Sequence, residues 1–109
     1  MEKPSVLQER VSLVVCVHRG MAFLGEDVLK STVYFLEERT NMGLQELVRQ
    51  PERFSLIVRE FFGLGSRLVF ESILQEIERV GKVQRVDPDF KRFASAIDQA
   101  RVSVESGTV

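Results

Sequence analysis

Tryptophan is absent from these 109 residues, and cysteine, histidine, tyrosine and asparagine occur once each. One thiol, Cys16, excludes an intrachain disulfide and any zinc centre built on several cysteines. It also fits a reducing compartment, so a cytoplasmic location is expected. Cys16 and His18 are two residues apart. On a helix that spacing sets them about 200° apart, and on a strand two ligands still do not make a metal site. A cysteine–histidine nucleophile pair has the same geometric problem. Cys16 is expected to be a small core hydrophobe, and His18 an exposed residue at a helix end.

Long hydrophobic runs are missing too. The longest, Leu13 to Val17, is five residues, against the ~20 that a membrane helix requires. Glu9, Arg10 and Ser12 interrupt any apolar region behind Lys3-Pro4, so a secretory leader is not expected. Charge of one sign is also lacking: net charge is -1 and the pI is near 5.9. Non-specific nucleic-acid binding needs a positive footprint to displace counterions, and the chain as a whole has none.

What is present is an ordinary folding composition, 44% hydrophobic and 28% charged, in a length that suits one domain. Residues 1–109 are expected to form a single helical domain, frayed at 1–4 and 105–109. Pro4-Ser5 opens the first segment. Val6, Leu7, Val11, Val14 and Val15 fall on one helical face, while Leu13, Cys16 and Val17 fill the other. Valine also suits a buried strand. Helix is the preferred reading, because the best partner strand, "GKVQRVD" at 81–87, is short. A helix apolar nearly all round is either central or shared with a second subunit. Leu7, Val11, Val14 and Val15 are therefore the candidate self-association surface.

Gly20 and Gly25 bracket a joint. Glu26 and Asp27 then suit the positive end of a helix, and Val28, Leu29, Val33, Phe35 and Leu36 keep helical spacing up to Asn41 and Gly43. Leu44, Leu47 and Val48 make a short helical turn. Pro51 suits a first helical position, and Phe54, Ile57, Val58 and Phe61 follow at i, i+3, i+4 and i+7. Gly63 is expected just past that helix. Val69, Phe70, Ile73, Leu74, Ile77 and Val80 mark the next helix, which Gly81 should end. Asp87-Pro88 then starts a last one through Phe90, Phe93, Ile97, Ala100 and Val104. The fold expected is all-α, a compact orthogonal bundle of five to six helices.

Motifs for chemistry are sparse. "GLG" at 63–65 lacks the third glycine of a dinucleotide fingerprint and the Gly-Lys-Ser/Thr of a P-loop. It reads as a corner that lets Phe61 and Phe70 meet. Glu37 with Glu38, Glu76 with Glu78, and Asp87 with Asp89 diverge on a helix or cap one, whereas acid–base catalysis needs convergence. No enzyme activity, cofactor or metal is expected. Residues 44–62 outline a helix-turn-helix with Arg49, Arg53 and Arg59 on or near it, the alternative reading as a DNA-binding regulator. Glu52 and Glu60 interleave with those arginines, and nucleic acid is not the favoured partner.

Residues 25–77 resemble the Nitrosopumilus output domain family, type five, a small archaeal family. The likeness is carried by Tyr34, Leu36 and Glu37, by Pro51, Glu52 and Phe54, and by Phe62, Gly63 and Gly65. It implies a helical output or interaction module in signalling or regulation, without catalytic residues. Together these readings point to a non-enzymatic interaction module whose partner is a protein, a second copy of itself in the first place.

Overall fold

The first helix begins where its own cap permits. Ser12 has extended backbone, and its hydroxyl accepts the Val15 N–H at 3.3 Å, supplying one of the orphan donors of a helix start. The helical face read from Val6 onward is therefore not continuous through Val11 and Ser12, which precede helix α1 (Leu13–Met21). The computed structural model describes residues 11–105, so Leu7 and the Pro4-Ser5 start lie outside the described residues.

After α1 come a 3-10 turn (Ala22–Leu24), α2 (Glu26–Thr40), a single turn α3 (Leu44–Leu47) and α4 (Pro51–Phe62). A second 3-10 turn (Gly63–Gly65) leads into α5 (Ser66–Val83), and α6 (Pro88–Glu105) closes the described chain. Five full helices and one single turn make an all-α bundle, with no strand among the described residues. Residues 11–17 are thus not a strand, and 84–87 connect two helices.

Terminators follow backbone chemistry. Asn41 takes φ 56°, a left-handed conformation asparagine tolerates, and its N–H donates to the Glu37 carbonyl. Gly63 takes φ 59° at the end of α4. Pro51 holds the first turn of α4 as expected. Two glycine expectations need correction. Gly81 does not end α5, which runs on to Val83, because nothing there demands a left-handed residue and Gln84 N–H still reaches the Val80 carbonyl. The joint expected between Gly20 and Gly25 is the 3-10 turn Ala22–Leu24, but Gly20 itself lies inside α1, in its last turn. A Cβ on it would lie 2.6 Å from the Ile73 Cα. The missing side chain lets α1 and α5 cross at backbone distance.

Helix α5 is the hub, packed against α1 on one side and α6 on another, with α4 against α6. Val69, Phe70, Ile73, Ile77 and Val80 of α5 are buried together with Cys16, Val17 and Met21 of α1 and Phe90, Phe93 and Ile97 of α6. The Phe54 and Phe93 rings sit 5.5 Å apart at the α4–α6 contact, within the range of favourable tilted aromatic pairs. Buried hydroxyls find local carbonyls: Thr32 donates to Val28, Thr40 to Leu36 and Ser66 to Gly63, each at 2.7 Å. Helix α2 is peripheral and leans on α4, α3 and the first 3-10 turn.

The expected meeting of Phe61 with Phe70 is replaced by another arrangement. Phe70 is fully buried, whereas Phe61 is 38% exposed. Its ring lies 4.6 Å from Phe35 and 4.9 Å edge-on to Phe62. Phe61 shares the helical phase of Phe54, but at the end of α4 that phase meets the peripheral helix α2.

Candidate interaction surface

Of the residues expected to self-associate, Val11, Val14 and Val15 are among the described ones. Val11 and Val14 are half-buried against the core, and Val15 is exposed. Val14 also lines a cleft of about 330 Å3, together with Arg49, Asp87, Asp89 and Arg92. That cleft is of mixed charge, and across it the Arg92 guanidinium donates to the Arg49 carbonyl at 3.0 Å.

Of the three arginines of the helix-turn-helix reading, Arg53 and Arg59 lie on α4 six positions apart, about 120° around it, and Arg49 precedes it. Arg49 and Arg53 are exposed and Arg59 is half-buried. The helix before the turn, α3, is a single turn of four residues, too short to brace a recognition helix against a groove. An acidic neighbour also engages another element: one Glu60 oxygen, Oε2, accepts from both Nε and Nη2 of Arg39, at 2.9 and 2.6 Å.

Cys16 and His18 point apart, one fully buried and the other exposed in the last turn of α1. Burial, with Glu76 nearby, pushes the Cys16 thiol above its ordinary range. No cluster of three or more histidine, cysteine, aspartate or glutamate side chains that could hold a metal occurs among the described residues. Nor is any helix among them long and apolar enough to cross a membrane.

Glu76 sits in a charge network. Arg79 donates to it through two guanidinium nitrogens, and Arg19 of α1 lies 3.7 Å away. The Arg79 hydrogen bond, reinforced by the two positive charges, holds its carboxyl below the usual carboxylate range despite its burial. Glu78 faces elsewhere and pairs with Lys82 at 3.8 Å.

An apolar opening lies between the end of α1 and helix α2. It measures about 440 Å3 and is lined by His18 on one side and by Leu29, Val33 and Tyr34 on the other, with Glu26, Lys30 and Glu37 at its rim. Leu29 and Val33 are half-buried there and Tyr34 is 66% exposed. Glu37 is held in place from behind: its Oε2 accepts the Leu44 N–H at 3.1 Å, capping α3. Lys30 lies 3.3 Å from Glu26 one turn earlier. Sequence reasoning put Leu29 and Val33 on a core face and gave Lys30 and Tyr34 no role there. The signal was the run of side chains at helical spacing from Glu26 through Lys30, Val33 and Tyr34 to Glu37.

No family model, curated protein or solved structure matches the chain.

Proposed function

We propose that this chain is a non-enzymatic helical interaction module that works by self-association. The observation that supports it most is the apolar groove beside α2, where Leu29, Val33 and Tyr34 present hydrophobic surface within a charged rim. Contiguous apolar surface ringed by polar groups is what a protein-binding site offers, whereas single exposed hydrophobics are ordinary. The resemblance of residues 25–77 to an output-domain family spans this helix and agrees with a regulatory role. The expected surface on α1 contributes Val15 as its exposed member.

Sedimentation equilibrium tests the proposal. Self-association predicts a mass rising from the 12.5 kDa of one chain toward twice that value with concentration. A single species of one-chain mass at high micromolar concentration refutes it.

A further inference from the structure

We propose that the flank of α2 beside the groove is a self-complementary contact on which two copies of this chain pack antiparallel about a twofold axis between Val33 and Tyr34. This rests on the self-association reading and names its surface. The face comprises Glu26, Lys30, Val33, Tyr34, Glu37 and, at the C-cap, Asn41. At about 100° per residue these six positions fall within one arc of roughly 100°. Their spacing reads the same in both directions, and the chemistry follows the same symmetry.

An isologous contact sets the same patch against itself with residue order reversed. Reversal about Val33 and Tyr34 places Lys30 opposite Glu37 of the second copy, and Glu37 opposite its Lys30. It sets Val33 against Tyr34 twice, at the centre, and Glu26 against Asn41 at each end. Every charged position therefore meets an opposite charge or a neutral amide. A parallel arrangement would oppose Lys30 to Lys30 and Glu37 to Glu37, and like charges so placed are repulsive.

Both ionic partners are available for this role. Lys30 and Tyr34 are 74% and 66% exposed, and the contact of Lys30 with Glu26 is a solvated surface pair. Glu37 has one oxygen fixed by the Leu44 N–H, which orients its carboxylate before any partner arrives. The apolar centre continues into the groove through Val33 and Leu29. The helix has 15 residues, so it spans about 22 Å. One helix pair of that length buries less than the roughly 1,200 Å2 of a standard interface, so the dimer is weak and concentration-dependent.

Charge reversal followed by sedimentation velocity tests the contact, up to about 0.5 mM because small interfaces are weak. Wild type should shift from one chain to two. Lys30→Glu disrupts both symmetry-related pairs and should raise the dissociation constant at least about tenfold, as should Glu37→Lys. An equimolar mixture of the two variants should dimerise again, because the glutamate introduced in one chain then faces the lysine introduced in the other. Tyr34→Asp, at an exposed side chain, should weaken the dimer while leaving the circular dichroism spectrum unchanged; it serves if Glu37→Lys fails to fold. A wild type that stays monomeric overturns both the contact and self-association. A wild type that dimerises while Lys30→Glu and Tyr34→Asp dimerise equally well, or a mixture of folded variants that stays monomeric, overturns this contact alone and leaves self-association to another face such as Val15.

Discussion

Gly20→Ala adds one methyl group where α1 meets α5, and the structure allows its cost to be worked out. The new Cβ would stand 2.6 Å from the Ile73 Cα, 2.9 Å from its Cγ1 and 3.0 Å from its nitrogen, where ordinary contact begins at 3.4 Å. Two of the three obstacles are backbone, so no rotamer change removes them. The helices must separate by most of an ångström. That gap opens along Cys16, Val17 and Met21, all fully buried, and a radial gap of 0.5–1 Å forfeits roughly a quarter to a half of a dispersion contact. Overpacking costs about 1–3 kcal/mol, and a backbone clash belongs near the top of that range. Alanine's better helix propensity offsets at most about 1 kcal/mol. The net expectation is a loss of about 2 kcal/mol, or roughly 8 °C in Tm for a domain of this size. Thermal unfolding followed by far-ultraviolet circular dichroism measures it. Gly81→Ala is the internal control: a Cβ there meets nothing within 4 Å, so it should stabilise by about 0.5–1 kcal/mol. If Gly20→Ala melts at or above the wild-type temperature, the close crossing of α1 and α5 is wrong.

Replacing Glu76 by Gln keeps its shape and removes its charge. The folded carboxyl titrates below its ordinary value, so its stabilisation is present above the unfolded pKa and lost as pH falls through the folded one. Wild type should exceed the variant by about 1 kcal/mol at neutral pH, the two Tm curves converging below about pH 4; a pH-independent difference would contradict the Arg19–Glu76–Arg79 network. Phe54→Ala should cost about 3–5 kcal/mol in urea unfolding, and Phe61→Ala, with its ring 38% exposed, about half as much; equal costs would place both rings in one core. Titration of a labelled duplex at low salt should show no binding tighter than about 10⁻⁴ M. Tight, salt-sensitive binding abolished by Arg49→Ala and Arg53→Ala together would revive the helix-turn-helix reading.

Most of the helical framework was legible because its apolar positions keep one phase. In α5 the series from Val69 to Val80, and in α6 the series from Phe90 to Val104, alternates with charged residues that face water, and period alone identifies both the element and its buried side. Pro51, Asn41 and Gly63 worked as punctuation because each satisfies a backbone demand at a helix end. Gly20 and Gly81 failed as punctuation for different reasons. A glycine that permits a turn and one that permits a close crossing look identical in sequence, and only the position of Ile73 identifies Gly20 as the second kind. Gly81 is neither, since it sits in open space within α5. Phe61 was assigned to the core because its phase matches that of Phe54, and phase does not reveal which helix lies opposite. The surface of α2 was hidden by its surroundings. Being peripheral, that helix spreads Val28, Leu29, Val33, Tyr34 and Phe35 around much of its circumference, from 43% and 66% exposed for Val28 and Tyr34 to half-buried for Leu29 and Val33. No single stripe then declares what is core and what is offered to a partner.

The enclosure of Cys16 has a practical consequence. Its side chain is inaccessible and its thiol is held in the protonated form, whereas alkylation and oxidation proceed through an accessible thiolate. In the folded molecule the native sulfur is chemically silent, so a cysteine introduced at an exposed position can take a fluorophore or spin label selectively without removal of the native one. Conversely, unfolding uncovers the thiol, and the rate of its modification becomes a direct clock for opening of the α1–α5 contact.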